Sequence, residues 1–308
     1  MHVLAKRLLD HPIINQALDP SLGDNINGPS LIKAPEWLPD PKARYYLYFS
    51  HHEGKHIRLA FADALEGPWR IHCPGAVHLE QTPFPVSTPD VPQPAWAIAR
   101  GVNGLYPHIA SPDVHVDPEN RHLRMYFHGL DHDGEQRSLV AVSHDGINWG
   151  VEQERIAQVY LRVFEYCGMI YALALGGQIL RKSSDGAFET GPWPFPDGHR
   201  HSAVLVRGDT LHVFWTGIGD APEHILHSTI NLKGHWKNWQ VEHTAPLLQP
   251  EMDWEGANQP ILPSRTGAAE GLEHALRDPC IFEQNGRVYM IYVGGGENAL
   301  GLAEVIWI

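Results

Sequence analysis

Short runs of alternating apolar and polar residues dominate this chain. "RYYLYFS", "HLRMYFHG", "LHVFWTG" and "VYMIYVGG" are rich in aromatic and β-branched side chains and read as strands. Long amphipathic helices are hard to find, because 29 glycines and 25 prolines interrupt nearly every helical period. The strands recur in an ordered unit. Residues 27–69, 110–149 and 201–239 each read as strand, turn, strand, loop, strand, then a tight turn running into tryptophan. Residues 277–305 form a fourth clear copy and 160–193 a weaker one. Trp69, Trp149, Trp193 and Trp239 mark the turns, and a more polar fourth strand follows, as in "WRIHCPGAVHLE" and "WQVEHTAPLLQP".

Four-stranded units spaced roughly 40–50 residues apart predict a β-propeller. Five units give one all-β domain over 1–308, a five-bladed β-propeller with blades at about 26–80, 108–156, 157–198, 199–250 and 275–308. The last blade has only three strands. The N-terminal segment "VLAKRLLDHPII", within 1–14, resembles the fourth-strand segments. It is expected to close the ring by joining the C-terminal blade, leaving no sheet edge unpaired there. A β-sandwich also uses short strands, but tryptophan-marked units recurring in order favour the propeller.

Antiparallel neighbours place the start of each inner strand and the end of each second strand on one face. Connections between blades cross that same face, and two of them, 73–107 and 244–276, are long. Long connections in compact domains tend to be functional, so both are expected to rim one mouth. Polar groups converge there: Asn27 before Gly28-Pro29, Ser111-Pro112-Asp113, Tyr160 to Arg162, Arg200-His201 and Arg277-Asp278-Pro279 from inner strands, with His51, His52, His128, Thr216 and Glu297 from second strands. Polar strand starts can simply cap blades. A whole ring of His, Arg and Asp around one axis costs desolvation without stabilising a core, which favours a site.

At these residues the chain resembles the five-bladed propeller glycosidases, the superfamily of glycoside hydrolase family 43. The features that carry the likeness are "SPDVHV" with "RMYFHG", "RDPCIF" with "GRVYMIYVGG", and turns such as "SHDGINW". The resemblance implies an inverting glycosidase whose base, acid and acid-tuning carboxylates sit at the propeller mouth. In such a mechanism the acid and base stand roughly 6.5–9.5 Å apart to admit a water. The chain departs from that pattern. Gly28, preceded by Asn27, stands where the first-blade base is expected, and Tyr160 and Arg162 stand where the third blade would carry a carboxylate.

The candidate catalytic residues are therefore Asp113 in "SPDV", Asp278 in "RDP", Glu255 beside Trp254 in a rim connection, and His201 at the start of a fourth-blade strand. Asp113 could instead cap backbone N–H groups, and Asp278 could pair with Arg277. A carboxyl against an indole has its ionised form disfavoured, which suits Glu255 to proton donation; a solvated loop Glu is the bland alternative. Candidate substrate-binding residues are Asn27, His51, His108, His128, Arg200, Arg277 and Glu297. The two arginines would suit an anionic group or, in a related phosphorylase, phosphate.

Composition narrows the remaining classes. A net charge of −13 argues against nucleic acid as a partner. No run of about 18 apolar residues exists, so no membrane partner is expected. The opening "MHVLAKRLLDHPIINQ" does not read as a secretory leader. Cys73, Cys167 and Cys280 show no metal-type spacing and suit a reducing compartment, so a cytoplasmic protein is expected. No cofactor or metal site is predicted. Ten tryptophans, ten tyrosines and 21 histidines are the material of a sugar site, in which aromatic faces cover ring C–H groups and polar groups take the hydroxyls. The leading expectation is an exo-acting glycoside hydrolase for a small plant or algal oligosaccharide. A related phosphorylase and a non-catalytic sugar-binding propeller are the alternatives. The sequence carries no signal of oligomeric state.

Overall fold

The computed structural model describes residues 2–99, 101–102, 104–184 and 186–308. It is a five-bladed β-propeller. Blade I runs from the axis outwards as Asn27–Lys33, Tyr45–Ser50, Arg58–Ala62 and Arg70–His72. Blade II is Ile109–Asp117, His122–Leu130, Gln136–Ser143 and Gly150–Val151. Blade III is Arg162–Tyr166, Met169–Leu173, Ile179–Lys182 and Phe188–Thr190. Blade IV is His199–Arg207, Thr210–Gly217, Ile225–Asn231 and Val241–Leu248. Blade V is Leu272–Gln284, Arg287–Gly296 and Ala299–Trp307, completed by Val3–Arg7. The N-terminal strand pairs antiparallel with the last, Val3 opposite Trp307 and Arg7 opposite Ala303, so the chain's two ends close the ring.

The second strands read as continuous apolar runs because both of their faces are buried. In "YYLYFS", Tyr46 and Tyr48 enter the core shared with blade II, while Leu47 and Phe49 enter the core shared with blade V. Met290 and Tyr292 likewise face blade IV, and Ile291 and Val293 face blade I. The period-two alternation of a strand thus separates two hydrophobic cores rather than core from solvent. Among the described residues there are five such cores, one at each blade–blade junction. An open row of five blades would have four, so the packing itself closes the circle.

Three of the four marker tryptophans behave alike. Trp69, Trp149 and Trp239 are buried, and their indole N–H groups donate to the carbonyls of Leu65, Gly146 and Leu232 at 3.1, 3.3 and 3.0 Å. Trp193 departs from the pattern. Blade III completes its outer strand at Thr190, so Trp193 lies beyond that blade rather than before its fourth strand. Its side chain is 57% exposed, and it reaches the mouth of the propeller. The "SHDGINW" turn is structural: Asp145 accepts from the backbone N–H groups of Ile147 and Asn148 at 2.8 and 2.7 Å.

Candidate active site

The inner strands enter the mouth through a repeated irregularity. Register slips between Asn27 and Ser30, Ala110 and Asp113, His199 and Ser202, and Arg277 and Cys280. The bulge turns side chains toward the axis, a common use of bulges beside active sites. Gly28, Ser111 and Asp278 sit in these bulges with φ of +56°, +52° and +44°, and Tyr160, just before the inner strand of blade III, has φ of +59°. Gly28 meets this geometry without a side chain. A Cβ there would lie 3.1 Å from the Ser111 Cα and 3.0 Å from the Ser50 Oγ. The first-blade position thus has no room for a carboxylate side chain without local movement.

The carboxylate at the equivalent place in blade V faces that gap. Asp278 Oδ2 accepts the Gly28 N–H at 3.0 Å, and its Oδ1 pairs with the Nδ1 of His201 from blade IV. Asp278 is buried, and of the two imidazole nitrogens of His201 only Nδ1 is enclosed. That carboxylate contact favours the proton on Nδ1, leaving the Nε2 lone pair on the cavity side. Burial, reinforced by the Arg200 and Arg162 guanidinium groups, holds the imidazole well below its ordinary value. The Asp278 carboxylate at Nδ1 works against that lowering, so His201 is an imidazole backed by a carboxylate.

Above this pair lies a cavity of about 560 Å³. Its floor includes His52, Tyr160, His199, Arg200 and His201. Aromatic rings line it from two connections: Trp96 and Tyr106 from the one between blades I and II, and Trp193 and Phe195 from the one between blades III and IV. Thr266 and Gly267 enter from the connection between blades IV and V. Both long connections singled out in the sequence therefore rim one mouth, and the 191–198 segment joins them.

Beneath the floor is a network of buried charge. Arg277 donates to Glu223 at 2.9 Å, bonds Glu273 at 2.6 Å and faces Glu297 at 3.6 Å. Arg200 faces Glu223 at 3.2 Å and reaches the carbonyl of Arg265. Burial works to raise the Glu297 carboxyl, but His52, Arg277 and Asn25 outweigh it and hold the group far below the usual value. For Arg277 burial works in the opposite sense, and Glu223, Glu297 and Glu273 overcome it, so the guanidinium stays charged.

The sequence candidates divide accordingly. His201 and Arg200 come together at the cavity floor, with Asp278 behind His201. Arg277 and Glu297 lie under it, consumed by each other and by their neighbours, so Arg277 is a structural ion rather than an anion receptor. His128 lies behind Tyr160, ring centroids 4.3 Å apart, and His108 packs edge-on against His128. Burial pushes His108 down to about 4 and His128 well below the ordinary value, so both are neutral wall supports. Asn27 accepts from Ser50 Oγ at 2.6 Å and donates to Asn25 at 3.1 Å, away from the cavity lining. His51 accepts the Glu53 N–H at 3.0 Å in its own loop and faces Asp24, also away from the lining.

Two catalytic candidates are placed elsewhere. Asp113 closes the bulge of blade II, two residues after Ser111, where it accepts the Val163 N–H at 2.8 Å and pairs with His115 at 2.8 Å. Burial alone would raise its carboxyl; His115, Arg162 and the Val163 N–H overcome this and keep it ionised, as a tie between blades II and III. Glu255 lies outside the cavity lining. Arg7 of the N-terminal strand bonds both its oxygens at 2.9 and 2.8 Å, and Tyr292 donates to it at 2.7 Å. Burial raises its carboxyl, but Arg7, the Glu251 and Met252 N–H groups and Tyr292 more than reverse that. The expected effect of Trp254 is overridden by a full set of donors, and Glu255 latches the ring closure. Among the described residues no three His, Cys, Asp or Glu side chains converge as a metal site.

No protein-family model matches the chain. The uncharacterized protein R118 of Acanthamoeba polyphaga mimivirus is 35% identical over 309 residues, covering 91% of this chain and 83% of that protein. The chain belongs to the R118 family. Among solved structures, CoXyl43, a GH43 β-xylosidase/α-arabinofuranosidase from a compost microbial metagenome in complex with xylotriose, superposes with a TM-score of 0.60 at 13% identity, covering 98% of this chain and 94% of that one. The GH43_1 enzyme from Xanthomonas citri complexed with xylose gives 0.58 at 11% identity, covering 96% and 89%. An exo-1,5-α-L-arabinanase from a bovine ruminal metagenomic library gives 0.54 at 11% identity, covering 91% and 93%. These likenesses establish that this member of the R118 family has the five-bladed propeller fold of the family-43 glycoside hydrolases.

Trp96, Tyr106, Phe195 and His199 line the mouth without a sequence signal, and Trp193 lines it although its repeat position marks a blade turn. Trp193 carried a signal: its repeat was the weakest, and "GPWPFPDG" is too rich in proline to be a fourth strand.

Proposed function

We propose that the protein is an exo-acting glycoside hydrolase that removes one sugar from a small oligosaccharide. The observation that carries this reading is the axial cavity, lined by aromatic rings and floored by His201 with Asp278 behind it. Its volume falls within the roughly 300–1,000 Å³ range of small-molecule sites. Three inter-blade connections surround the mouth, which favours a pocket for a chain end over an open cleft. Aromatic rings cover the apolar face of a sugar, and Arg200, Tyr160 and His201 offer polar groups at its edge.

In this reading, His201 Nε2 takes a proton from water as the water oxygen bonds to the anomeric carbon. The glycosidic C–O bond breaks, and the leaving oxygen gains a proton from solvent at the mouth. Asp278 stabilises the imidazolium that forms and orients the ring, as a carboxylate behind a catalytic histidine does. The buried carboxylates are held by His201 or by arginines, so none is offered as a covalent nucleophile. A single displacement with inversion at the anomeric carbon follows. Phosphorolysis is less well supported, because Arg277 is enclosed by three glutamates and Arg200 by Glu223 and backbone oxygens.

The test is turnover of a panel of 4-nitrophenyl glycosides, beginning with the xyloside and arabinofuranoside that the solved neighbours suggest. His201→Gln and Asp278→Asn should each lower kcat by about 10²–10⁴-fold, the usual weight of general acid–base catalysis. Proton NMR should show the inverted anomer first. Wild-type rates in both variants would remove the mechanism, and absence of turnover across the panel would remove the hydrolase reading.

A further inference from the structure

We propose that Tyr160 is a further substrate-touching residue, whose hydroxyl donates a hydrogen bond to a sugar oxygen beside His201. This rests on the glycosidase reading and adds a group to the same site. Three independent observations carry it. The first is backbone strain. Tyr160 holds φ at +59°, a region that bulky side chains rarely adopt and that persists where the surroundings over-determine it, often at functional sites. Its counterparts around the axis are Gly28, Ser111 and Asp278, none of which carries a ring.

The second is confinement. The phenol ring is wedged between His128 and His201, with centroids 4.3 Å from each. Its position is therefore fixed before any ligand arrives, and a pre-positioned donor is the kind that stabilises a transition state most. The third is the hydroxyl itself. Tyr160 lines the cavity, its oxygen is not enclosed, and among the described residues no protein group bonds it. Burial, with Tyr106 and Glu297 nearby, raises the phenol above its ordinary value. It stays an O–H donor across the working range of His201. A ring serving only as filler between two histidines would not need this hydroxyl, and phenylalanine would suffice.

Tyr160→Phe keeps the ring, the stacking and the strained backbone and removes only the donor. The expected result is an unchanged Tm and a loss of about 10²–10³-fold in kcat/KM on the best 4-nitrophenyl glycoside, with kcat sharing the loss, the size seen when one transition-state donor is removed. Saturating product monosaccharide should also shift the Tyr160 ¹³Cζ NMR line, assigned as the line missing from the variant. Wild-type kcat and KM in Tyr160→Phe would overturn the proposal. If the wild-type protein turns over no glycoside, the hydrolase reading fails separately. The ¹³Cζ line is then followed against free xylose, arabinose, galactose, mannose and glucose. A shift with one of them sustains Tyr160 as a sugar contact, and no shift with any of them overturns it.

Discussion

Placing a carboxylate at Gly28 tests why the acidic group of this site sits in blade V. Gly28→Ala forces a side chain into the left-handed region, which costs about 1–2 kcal/mol. Its Cβ would approach Ser50 Oγ at 3.0 Å and Ser111 Cα at 3.1 Å. The second contact is backbone and yields poorly, and overpacking of this kind costs about 1–3 kcal/mol. For 308 residues, an unfolding entropy of ~2.1 cal/mol/K per residue gives ~0.65 kcal/mol/K. Gly28→Ala should therefore lower Tm by about 3–8 °C. Gly28→Asp brings a second charge toward Asp278, whose Oδ2 already accepts the Gly28 N–H. Two like charges ~5 Å apart at an effective dielectric of ~20 repel by about 3 kcal/mol, so a further ~5 °C should be lost at pH 7.5.

The sign with pH follows from that repulsion. It raises the folded-state pKa of the introduced carboxyl above its unfolded value of ~3.9. The charge penalty is then complete at neutral pH and shrinks as pH falls through the raised value. Thermal denaturation at pH 7.5 and 4.5 should show Gly28→Asp falling below Gly28→Ala at the higher pH and approaching it at the lower. A Gly28→Asp variant as stable as wild type would refute the reasoning. So would restored turnover when it is combined with Asp278→Asn, because blade I would then accept the carboxylate that the packing says it cannot.

Three further outcomes are expected. Glu255→Gln should cost about 3 kcal/mol in urea unfolding at pH 7, because it leaves Arg7 without its buried partner, while turnover stays at the wild-type rate. The folded carboxyl of Glu255 is depressed, so its contribution is present above the unfolded value near 4.3 and is lost as pH falls through the folded one. Trp193→Ala should leave Tm unchanged, the ring being largely exposed, and raise KM about 3–10-fold through loss of a stacking face, measured by steady-state kinetics. His108 and His199, pushed down to about 4 and about 3 by burial, bind fewer protons folded than unfolded at acid pH. Their contribution is whole above about pH 6.5 and declines as pH falls toward those values. Denaturant midpoints at pH 7.5, 6.0 and 5.0 should fall in order, with a shallower decline in His199→Phe.

The fold was legible because a propeller repeats. The same strand, turn and tryptophan pattern has to bury two faces of every second strand, and "YYLYFS", "HLRMYFHG" and "VYMIYVGG" record that demand directly. The inner-strand bulges were legible as polar strand starts, which brought His201, Asp278 and Arg200 to notice. Charge partners were not legible, since they lie far apart in sequence. Glu255 meets Arg7 across 248 positions and Arg277 meets Glu223 across 54, and each pairing turns a free group into a structural one. The reading of Asp113 depended on the Val163 N–H of the adjacent blade, which no motif announces. The aromatic lining is obscured because Trp193 occupies the place of a blade marker in a weak repeat. Only the completion of blade III at Thr190 releases it to the mouth.

The central claim is that the axial cavity binds a sugar over the His201–Asp278 pair. A crystal soaked with the monosaccharide product of the best-cleaved glycoside measures this directly. The account predicts a single sugar ring on the propeller axis, one face against Trp193, with an oxygen within hydrogen-bonding reach of His201 Nε2. Sugar density confined to the outer blade faces, with the axial cavity holding only water, would contradict it.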